Sequence, residues 1–191
     1  MALSINDVKR GTFLLLDGDP YVVLSFKHLH MGRGGAVLQT KIRNLKTGTI
    51  LDRNFRAGDS IREAEIRKMQ AVFVYEKRGE YWFHERGKPA NRFYIKAEAL
   101  GDKVILLKSE MVVTALIFVK EDREEIINIE LPVKADYKVI EAPLGIKGNT
   151  AQGGTKMVTI EGGLKLNVPL FVEEGDIIRI NTGTKEYVER V

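Results

Sequence analysis

Short apolar runs alternate with polar residues along nearly the whole chain. The runs are rich in β-branched and aromatic residues and are interrupted by Gly, Asp, Asn and Pro, a pattern typical of an all-β protein with closely spaced strands. In the first third of the chain the pattern predicts strands at Thr12–Leu16, Tyr21–His28, Ala36–Asn44 and Thr49–Phe55. Strands this short and this close favour a small SH3-like barrel, because closing the sheet removes exposed strand edges.

The other two thirds of the chain repeat this pattern. Each resembles a five-stranded OB-fold barrel in the number and length of its apolar runs. One helical turn is predicted at Lys96–Leu100, and Ile61–Lys68 also has some helical character. Pro132 favours an extended connector at 131–133. The strands predicted here are Gln70–Tyr75, Tyr81–Glu85, Arg92–Ile95, Val104–Leu107, Met111–Val119, Glu125–Leu131, Tyr137–Ala142, Met157–Ile160, Leu164–Val168, Ile177–Asn181 and Tyr187–Arg190.

These patterns divide the chain into three predicted domains. They are an SH3-like barrel at residues 1–65, a central OB-fold barrel at 66–130 and a C-terminal OB-fold barrel at 131–191. Small barrels joined by polar connectors need not collapse onto one another. The sequence therefore predicts an elongated all-β protein built from three small β-barrels.

The composition excludes several classes of protein. Hydrophobic residues make up 44% of the 191 residues, which is enough for packed cores. There is no cysteine, so disulfides, thiolate catalysis and cysteine–zinc sites are excluded. The longest apolar run, Met111–Val119, is about half the length of a membrane-spanning helix. We expect a soluble, cytoplasmic protein without a membrane partner.

Positive charge is concentrated in one segment of the first third. The whole chain carries a net charge of +4, whereas Lys27–Arg56 alone holds seven cations and a single acid, Asp52. Such a concentration is expected of a surface that binds a polyanion. Lys27, Lys41 and Arg43 are the candidates for an RNA-facing surface, and a merely solvated strand face is the alternative.

No constellation of residues predicts catalysis. None of the four serines lies in a G-x-S-x-G turn, and neither a Walker loop nor a complete G-x-G-x-x-G motif is present. His28 and His30 alternate on a predicted strand, but no cysteine or nearby acid completes a metal site. Asp17 and Asp19 flank a glycine in a predicted turn. We therefore expect no enzyme activity, no cofactor and no metal.

Tyr81, Trp82 and Phe83 form a run of three aromatic residues. On an OB-fold strand such a run is either a base-stacking platform or part of the barrel core. Because side chains alternate along a strand, Tyr81 and Phe83 share one face and Trp82 takes the other. The alternation favours core packing and leaves the platform as the alternative.

The segment His28–Ala36 reads HLHMGRGGA and carries one arginine among three glycines. Glycine permits backbone conformations and close approaches that other residues resist, so the segment is either an ordinary turn or a tip that presents Arg33. A guanidinium offers five donors in a planar fork and binds both phosphates and bases. Beside strands that carry Lys27 and Lys41, such a tip is suited to nucleic acid.

Longer motifs occur in order along the chain. HMGRGGA, KIRNLKTG and FRAGD follow one another in the first third, and GIKGNTAQGG, NVPLFVEEGDIIRINT and EYVERV in the last. In this order and spacing they resemble bacterial elongation factor P, whose glycine-rich tip loop HMGRGGA matches. The resemblance covers essentially the whole chain and is to the arginine-tip type of that family.

The resemblance implies an L-shaped protein that mimics the outline of a tRNA and relieves ribosomes stalled at consecutive prolines. Its partners would be both ribosomal subunits, ribosomal RNA and the peptidyl-tRNA, which it would meet as a monomer between the peptidyl and exit sites. The implied tip loop, which approaches the CCA end of the peptidyl-tRNA, comprises His30, Met31, Gly32, Arg33, Gly34 and Gly35. The implied contacts of the third barrel with tRNA, codon and small subunit involve Gly148, Asn149, Thr150, Tyr187 and Arg190.

The chain departs from the family pattern at several positions. Arg33 replaces the lysine that receives a β-lysyl group in many members, which arginine cannot accept. Arg33 is therefore a candidate site for another modification, and an arginine-modifying enzyme is a candidate partner. Met31 stands in place of a proline and Asn149 in place of an aspartate. Two alternatives remain: the elongation-factor-P-like paralogue, which also bears an arginine, and a general module that binds structured RNA.

Overall fold

Three antiparallel sheets build the protein in the computed structural model, which describes residues 2–31, 35–121, 123–143 and 154–191. The strand order of the first sheet is β1-β6-β2-β3-β4-β5. The apolar side chains on one face of this sheet pack into a core that includes Val8, Leu14, Leu38, Ile42 and Ile61. The strands of this sheet are β1 (Ala2–Leu3), β2 (Phe13–Leu16), β3 (Asp19–Met31), β4 (Gly35–Asn44), β5 (Ile50–Arg56) and β6 (Ile61–Glu63).

The second and third sheets have five strands each, in the orders β11-β10-β7-β8-β9 and β14-β13-β12-β15-β16. The all-β prediction is confirmed, whereas the L-shape and the domain boundaries at 65/66 and 130/131 remain predictions. The strands of the second sheet are β7 (Glu65–Lys77), β8 (Glu80–Glu85), β9 (Lys88–Lys96), β10 (Val112–Lys120) and β11 (Arg123–Glu130). Those of the third are β12 (Lys134–Glu141), β13 (Thr155–Ile160), β14 (Lys165–Pro169), β15 (Ile177–Asn181) and β16 (Glu186–Arg190).

The connection between β9 and β10 is helical. The predicted turn at Lys96–Leu100 is confirmed as α1 (Ala97–Leu100), which continues into a 3₁₀ helix at Gly101–Leu106. The strand predicted at Val104–Leu107 is therefore wrong, because a short buried apolar run has the same pattern in a strand and in a helix. The segment Ile61–Lys68, in contrast, is extended and lies in β6 and β7. We call residues 97–106 the hub segment.

The first sheet packs against the hub segment through a buried asparagine. The Nδ2 of Asn128 donates to the carbonyl oxygens of Leu45, at 2.9 Å, and Ala99, at 2.8 Å. The turn after β4 also comes close, since a Cβ added to Gly48 would lie 2.8 Å from the Glu98 carbonyl oxygen. Buried side chains of both sheets surround these contacts, namely Leu45, Ala64, Leu116, Phe118 and Ile127.

The third sheet packs against the other end of the hub segment. Its buried residues and those of the second sheet form one continuous apolar cluster. Within it the hydroxyl of Tyr137 donates to the Leu106 carbonyl oxygen at 2.7 Å, and burial raises the pKa of that phenol. A Cβ added to Gly162 would lie only 2.4 Å from the Ile105 carbonyl oxygen. Both neighbouring sheets therefore contact the same ten residues.

Lys103 lies in the hub segment and is largely buried. Its amine donates to the Asn128 Oδ1 and to the Ile129 carbonyl oxygen, and no carboxylate lies within ion-pair distance of it in the described part of the chain. Burial, helped by the charge of Arg43, lowers the pKa of Lys103 from 10.5 to about 8. The negative charges of Glu130 and Asp102 oppose this shift.

This shift predicts a specific pH dependence of stability. Between the folded pKa of about 8 and the ordinary 10.5, the unfolded chain binds more protons at Lys103 than the folded chain does, so folding becomes more favourable as the pH rises. We expect the free energy of unfolding to rise by about 3 kcal/mol across this window relative to Lys103→Met, with no relative change below it. Urea unfolding at a series of pH values measures both curves, and parallel curves would contradict the prediction.

Candidate nucleic-acid interface

The hairpin of β3 and β4 carries the predicted tip. The two strands pair as far as Met31 and Gly35, and β3 extends three residues beyond its predicted end at His28. His30, which was predicted in the tip loop together with Met31 and Gly35, is thus also part of the strand ladder. The remaining predicted tip residues, Gly32, Arg33 and Gly34, lie outside the described residues.

The outer part of β3 is exposed on both faces of the strand. Four consecutive residues of β3, from Ser25 to His28, are solvent-exposed, although successive side chains of a strand point to opposite faces. Phe26 is 41% exposed and packs edge-on against His28, with 5.7 Å between ring centroids. A register shift between Val23 and Ser25 begins this region, and such bulges bend a strand and increase its twist. Because β5 pairs with β4 as far as Val37, the hairpin is two-stranded only beyond that residue.

The predicted RNA-facing cations share one face of the first sheet. Lys41 and Arg43 are two residues apart on β4, and Lys27 lies opposite Gln39, two residues before Lys41. Residues at these positions point to the same side of the sheet. We call Lys27, Lys41 and Arg43 the basic face. A shallow trough on this face is lined by Ser25, Lys27, Gln39, Lys41, Asp52 and Asn54, among others.

Two other cations of the same segment, Lys46 and Arg53, have different environments. Lys46 forms an ion pair with Glu125 of β11 at 2.6 Å, and its amine lies 5.5 Å from the ring centroid of Phe118. It therefore belongs to the junction of the first and second sheets. Arg53 is paired with Thr40 and lies on the opposite face of β5 from Arg56. The charge that the sequence concentrates in one segment is thus divided between two faces and a junction.

Arg43 is the innermost cation of the basic face. It is half-buried and lines a cavity of about 360 Å³ where the first and second sheets meet the hub segment and the turn between β15 and β16. Arg10 before β2, Lys103 of the hub segment, Glu130 of β11 and Lys185 between β15 and β16 also line it. Lys185 forms an ion pair with Asp102 at 2.8 Å, and the hydrogen bond from Lys185 lowers the pKa of that carboxyl.

The candidate residues of the third sheet fall into two groups. Gly148, Asn149 and Thr150 lie outside the described residues. Tyr187 is half-buried and packs against the core shared with the second sheet. Arg190 is exposed: its guanidinium lies 5.3 Å from the ring centroid of Phe171 and 3.4 Å from a carboxylate oxygen of Asp176. The backbone N–H of Glu173, together with Arg190, lowers the pKa of Asp176.

The three aromatic side chains on β8 point to alternate faces of the sheet, as predicted. Phe83 is fully buried and Tyr81 packs against the same core, whereas Trp82 points to the outer face. Sequence reasoning missed the partners of Trp82 on that face, Tyr75 and Tyr94. It also missed Asn128, because no motif distinguishes a buried asparagine from an exposed one.

Two general features of the described residues bear on function. No group of three or more histidine or acidic side chains there is placed to hold a metal ion. None of the described helices has the length and apolar character needed to cross a membrane.

Comparisons with known proteins match the chain at both ends and along its whole length. Residues 4–61 match the family description "Elongation factor P (EF-P) KOW-like domain" and residues 135–190 match "Elongation factor P, C-terminal". Elongation factor P of Moorella thermoacetica is 39% identical over 98% of this chain and 99% of its own length. That of Natranaerobius thermophilus is 36% identical over 99% of this chain and 98% of its own length.

Among solved structures, eukaryotic translation initiation factor 5A from Methanococcus jannaschii covers 68% of this chain and 95% of its own, with a TM-score of 0.43 and 9% identity. A likeness this loose adds nothing to the assignment, which depends on the full-length sequence matches. On those matches, the chain belongs to the elongation factor P family.

Proposed function

We propose that the chain binds the ribosome between the peptidyl and exit sites and stimulates peptide-bond formation at consecutive prolines by positioning the CCA end of the peptidyl-tRNA. The full-length match to elongation factor P carries this proposal. Members of this family are translation factors and not enzymes. The partners are the two ribosomal subunits with their RNA and the peptidyl-tRNA, and the protein acts as a cytoplasmic monomer.

The proposed mechanism is entropic. Proline is a constrained acceptor and donor, so the reacting ends spend little time in a geometry that permits attack. Holding the end of the peptidyl-tRNA in place reduces the entropy that the transition state must lose, and well-oriented reactants gain several kcal/mol in this way. The factor needs no nucleophile or general base for this role.

The hairpin of β3 and β4 supports the proposal for the first sheet. Its strand β3 is exposed on both faces from Ser25 to His28 and leads to Arg33. Lys27 and Lys41 on the basic face supply sequence-independent attraction to phosphates, and an arginine at the end supplies a planar fork for phosphate or base. Gly32, Gly34 and Gly35 leave room for RNA close to the backbone around that arginine.

The finer assignments are proposals of the same kind. We assign the chain to the arginine-tip type, with Arg33 unmodified or altered by an arginine-modifying enzyme. The intact mass of protein purified from its own host distinguishes these states. The three domains span residues 1–65, 66–130 and 131–191, and the third contacts tRNA, codon and small subunit through Gly148, Asn149, Thr150, Tyr187 and Arg190.

Peptide synthesis on purified ribosomes tests the function. The protein is expected to accelerate translation of a message with consecutive prolines and to leave a proline-free message of the same length unchanged. A general module that binds structured RNA would show no dependence on proline. Equal effects on the two messages would therefore contradict the proposal.

The basic face yields a separate prediction about affinity. Lys27→Gln combined with Lys41→Gln is expected to weaken ribosome binding by about tenfold at low salt, because two phosphate contacts and their released counterions are lost. The difference should shrink as salt rises. Filter binding across a salt series measures it, with Lys120→Gln, an exposed lysine of the second sheet, as the matched control. Equal salt slopes for wild type and double variant would contradict the assignment.

A further inference from the structure

Three aromatic rings lie side by side on the outer face of the second sheet. Trp82 of β8 is paired with Tyr75 of β7 on one side and with Tyr94 of β9 on the other. The ring centroids of Tyr75 and Trp82 are 6.2 Å apart with 22° between planes, and those of Trp82 and Tyr94 are 5.2 Å apart with 40°. We call these three residues the aromatic row.

A β-bulge creates this row. Phe73 pairs with Phe83 in the core, so regular alternation would place Val74 opposite Trp82. The register instead shifts between Phe73 and Tyr75, which brings Tyr75 opposite Trp82. Bulges of this kind redirect a side chain and are found next to functional sites. The chain thus uses a local irregularity to complete a row of three rings on its outer face.

The row is open to solvent. Tyr75 is 40% exposed and Tyr94 is 45% exposed, and no described part of the chain packs over them as a core does. The indole Nε1 of Trp82 is buried beside its neighbours and has no acceptor among the described residues. Buried tryptophans ordinarily satisfy this N–H. The indole therefore lies between the rings of Tyr75 and Tyr94 without a hydrogen bond to a described residue.

Cations lie on both sides of the row. Arg92 and Lys96 precede and follow Tyr94 by two residues on β9, about 6.6 Å along the strand in each direction. Glu80 of β8 is paired with Lys77 of β7 on one side and with Lys96 of β9 on the other. None of the three cations forms an ion pair within the described chain. This face therefore carries three basic side chains and one acidic one around its rings.

We propose that the aromatic row binds unpaired nucleotides of an RNA, with bases stacked on Tyr75 and Tyr94 and phosphates held by Lys77, Arg92 and Lys96. Single-stranded nucleic acid is bound in this way by aromatic rings on small β-barrels flanked by basic residues. Protein interfaces are also rich in tyrosine and tryptophan but are depleted of lysine. The two lysines beside the row therefore favour RNA as the occupant. This site is separate from the basic face and does not depend on it.

The chain contains its own reporter for this proposal, because Trp82 is its only tryptophan. A single-stranded RNA oligonucleotide of about ten nucleotides, titrated into the full chain, is expected to quench the fluorescence of Trp82. Tyr94→Ala should weaken the binding about tenfold, the expected effect of losing one stacked base. Tyr94→Phe, which retains the ring, should bind as the wild type does. The same RNA annealed to its complement should quench much less.

Two results separate this site from the others. The double variant Lys27→Gln with Lys41→Gln should quench as the wild type does. If the RNA were bound only at the basic face, this variant would lose the binding, and the RNA would not quench Trp82 in the wild type either. Phe171→Ala, which removes a 55% exposed ring from the turn after β14, is the matched aromatic control. Absence of quenching, or equal losses for Tyr94→Ala and Tyr94→Phe, would overturn the proposal.

Crosslinking on the ribosome identifies the occupant. With p-benzoylphenylalanine in place of Tyr94, illumination of the ribosome-bound protein is expected to give crosslinks to RNA. Crosslinks confined to protein would overturn the RNA assignment and identify the row as a protein-docking surface. This arm requires ribosome binding, whereas the oligonucleotide titration does not, so failure of the proposed function and failure of this site are distinguishable.

Discussion

Arg33→Ala is expected to remove most of the stimulation of polyproline synthesis. A hydrogen bond from a charged donor contributes about 1.5–3 kcal/mol, so the rate of peptide-bond formation at a proline pair should fall roughly tenfold to hundredfold towards the rate without the factor. Affinity for the ribosome should fall much less, because the contacts proposed for the basic face and the third sheet do not involve Arg33. Rapid-quench kinetics of a proline–proline bond on purified ribosomes, at saturating factor, measures the loss.

Two controls define what Arg33 supplies. Arg33→Lys keeps the charge and loses the planar fork, so an intermediate rate would show that geometry matters besides charge. A message without prolines should respond to none of the variants. Full stimulation by Arg33→Ala at saturating concentration would contradict the proposed role of the tip. The intact mass of each protein sample shows whether Arg33 is modified in the wild type.

Gly162→Ala is expected to destabilise the contact between the second and third sheets by about 2–4 kcal/mol. Gly162 has a φ of +88°, and an added Cβ would lie 2.4 Å from the Ile105 carbonyl oxygen. The positive φ costs an alanine on the order of 1 kcal/mol. The clash with a backbone atom adds to this, because the hub segment and the turn between β13 and β14 must move apart and expose apolar surface.

The next residue provides a matched control. Gly163 has a φ of +87° and nothing within 4 Å of an added Cβ. Gly163→Ala therefore has the same conformational cost without the clash, and the difference between the two variants measures the contact with Ile105 alone. Denaturant unfolding gives the two free energies, and amide hydrogen exchange at Leu106 and Tyr137 locates the loss. Equal destabilisation by the two variants would contradict the predicted role of Gly162.

Features that depend on the regular alternation of apolar and polar residues could be predicted from the sequence. The three sheets and most strand positions follow from apolar residues at every second position, and the two faces of Tyr81, Trp82 and Phe83 follow in the same way. The 3₁₀ helix at Gly101–Leu106 was missed because its apolar run is buried between two sheets and has no period of its own. Tyr75 was missed as a partner of Trp82 because a bulge depends on both strands of a pair.

The contacts between neighbouring sheets could not be predicted from the sequence. Asn128 and Lys103 are ordinary polar residues until the fold buries them beside Leu45 and the hub segment. Gly48 and Gly162 are recognisable as turn residues, but their close approach to Glu98 and Ile105 is set by the packing of separate sheets. Candidate site residues, in contrast, were accessible through motifs, and the shared direction of Lys27, Lys41 and Arg43 follows from strand register.

The docking of two sheets on one ten-residue hub segment has a consequence for binding kinetics. In the proposed mode the hairpin and the third sheet contact different parts of the ribosome. Packed side chains, and not a free linker, join the first and third sheets. Once one of them is bound, the other is therefore held near its own contact area at a high effective concentration. Its binding then costs little further rotational entropy. Such a bivalent ligand dissociates slowly from a ribosome whose two contact areas match its fixed spacing, and quickly from one in which they have moved apart.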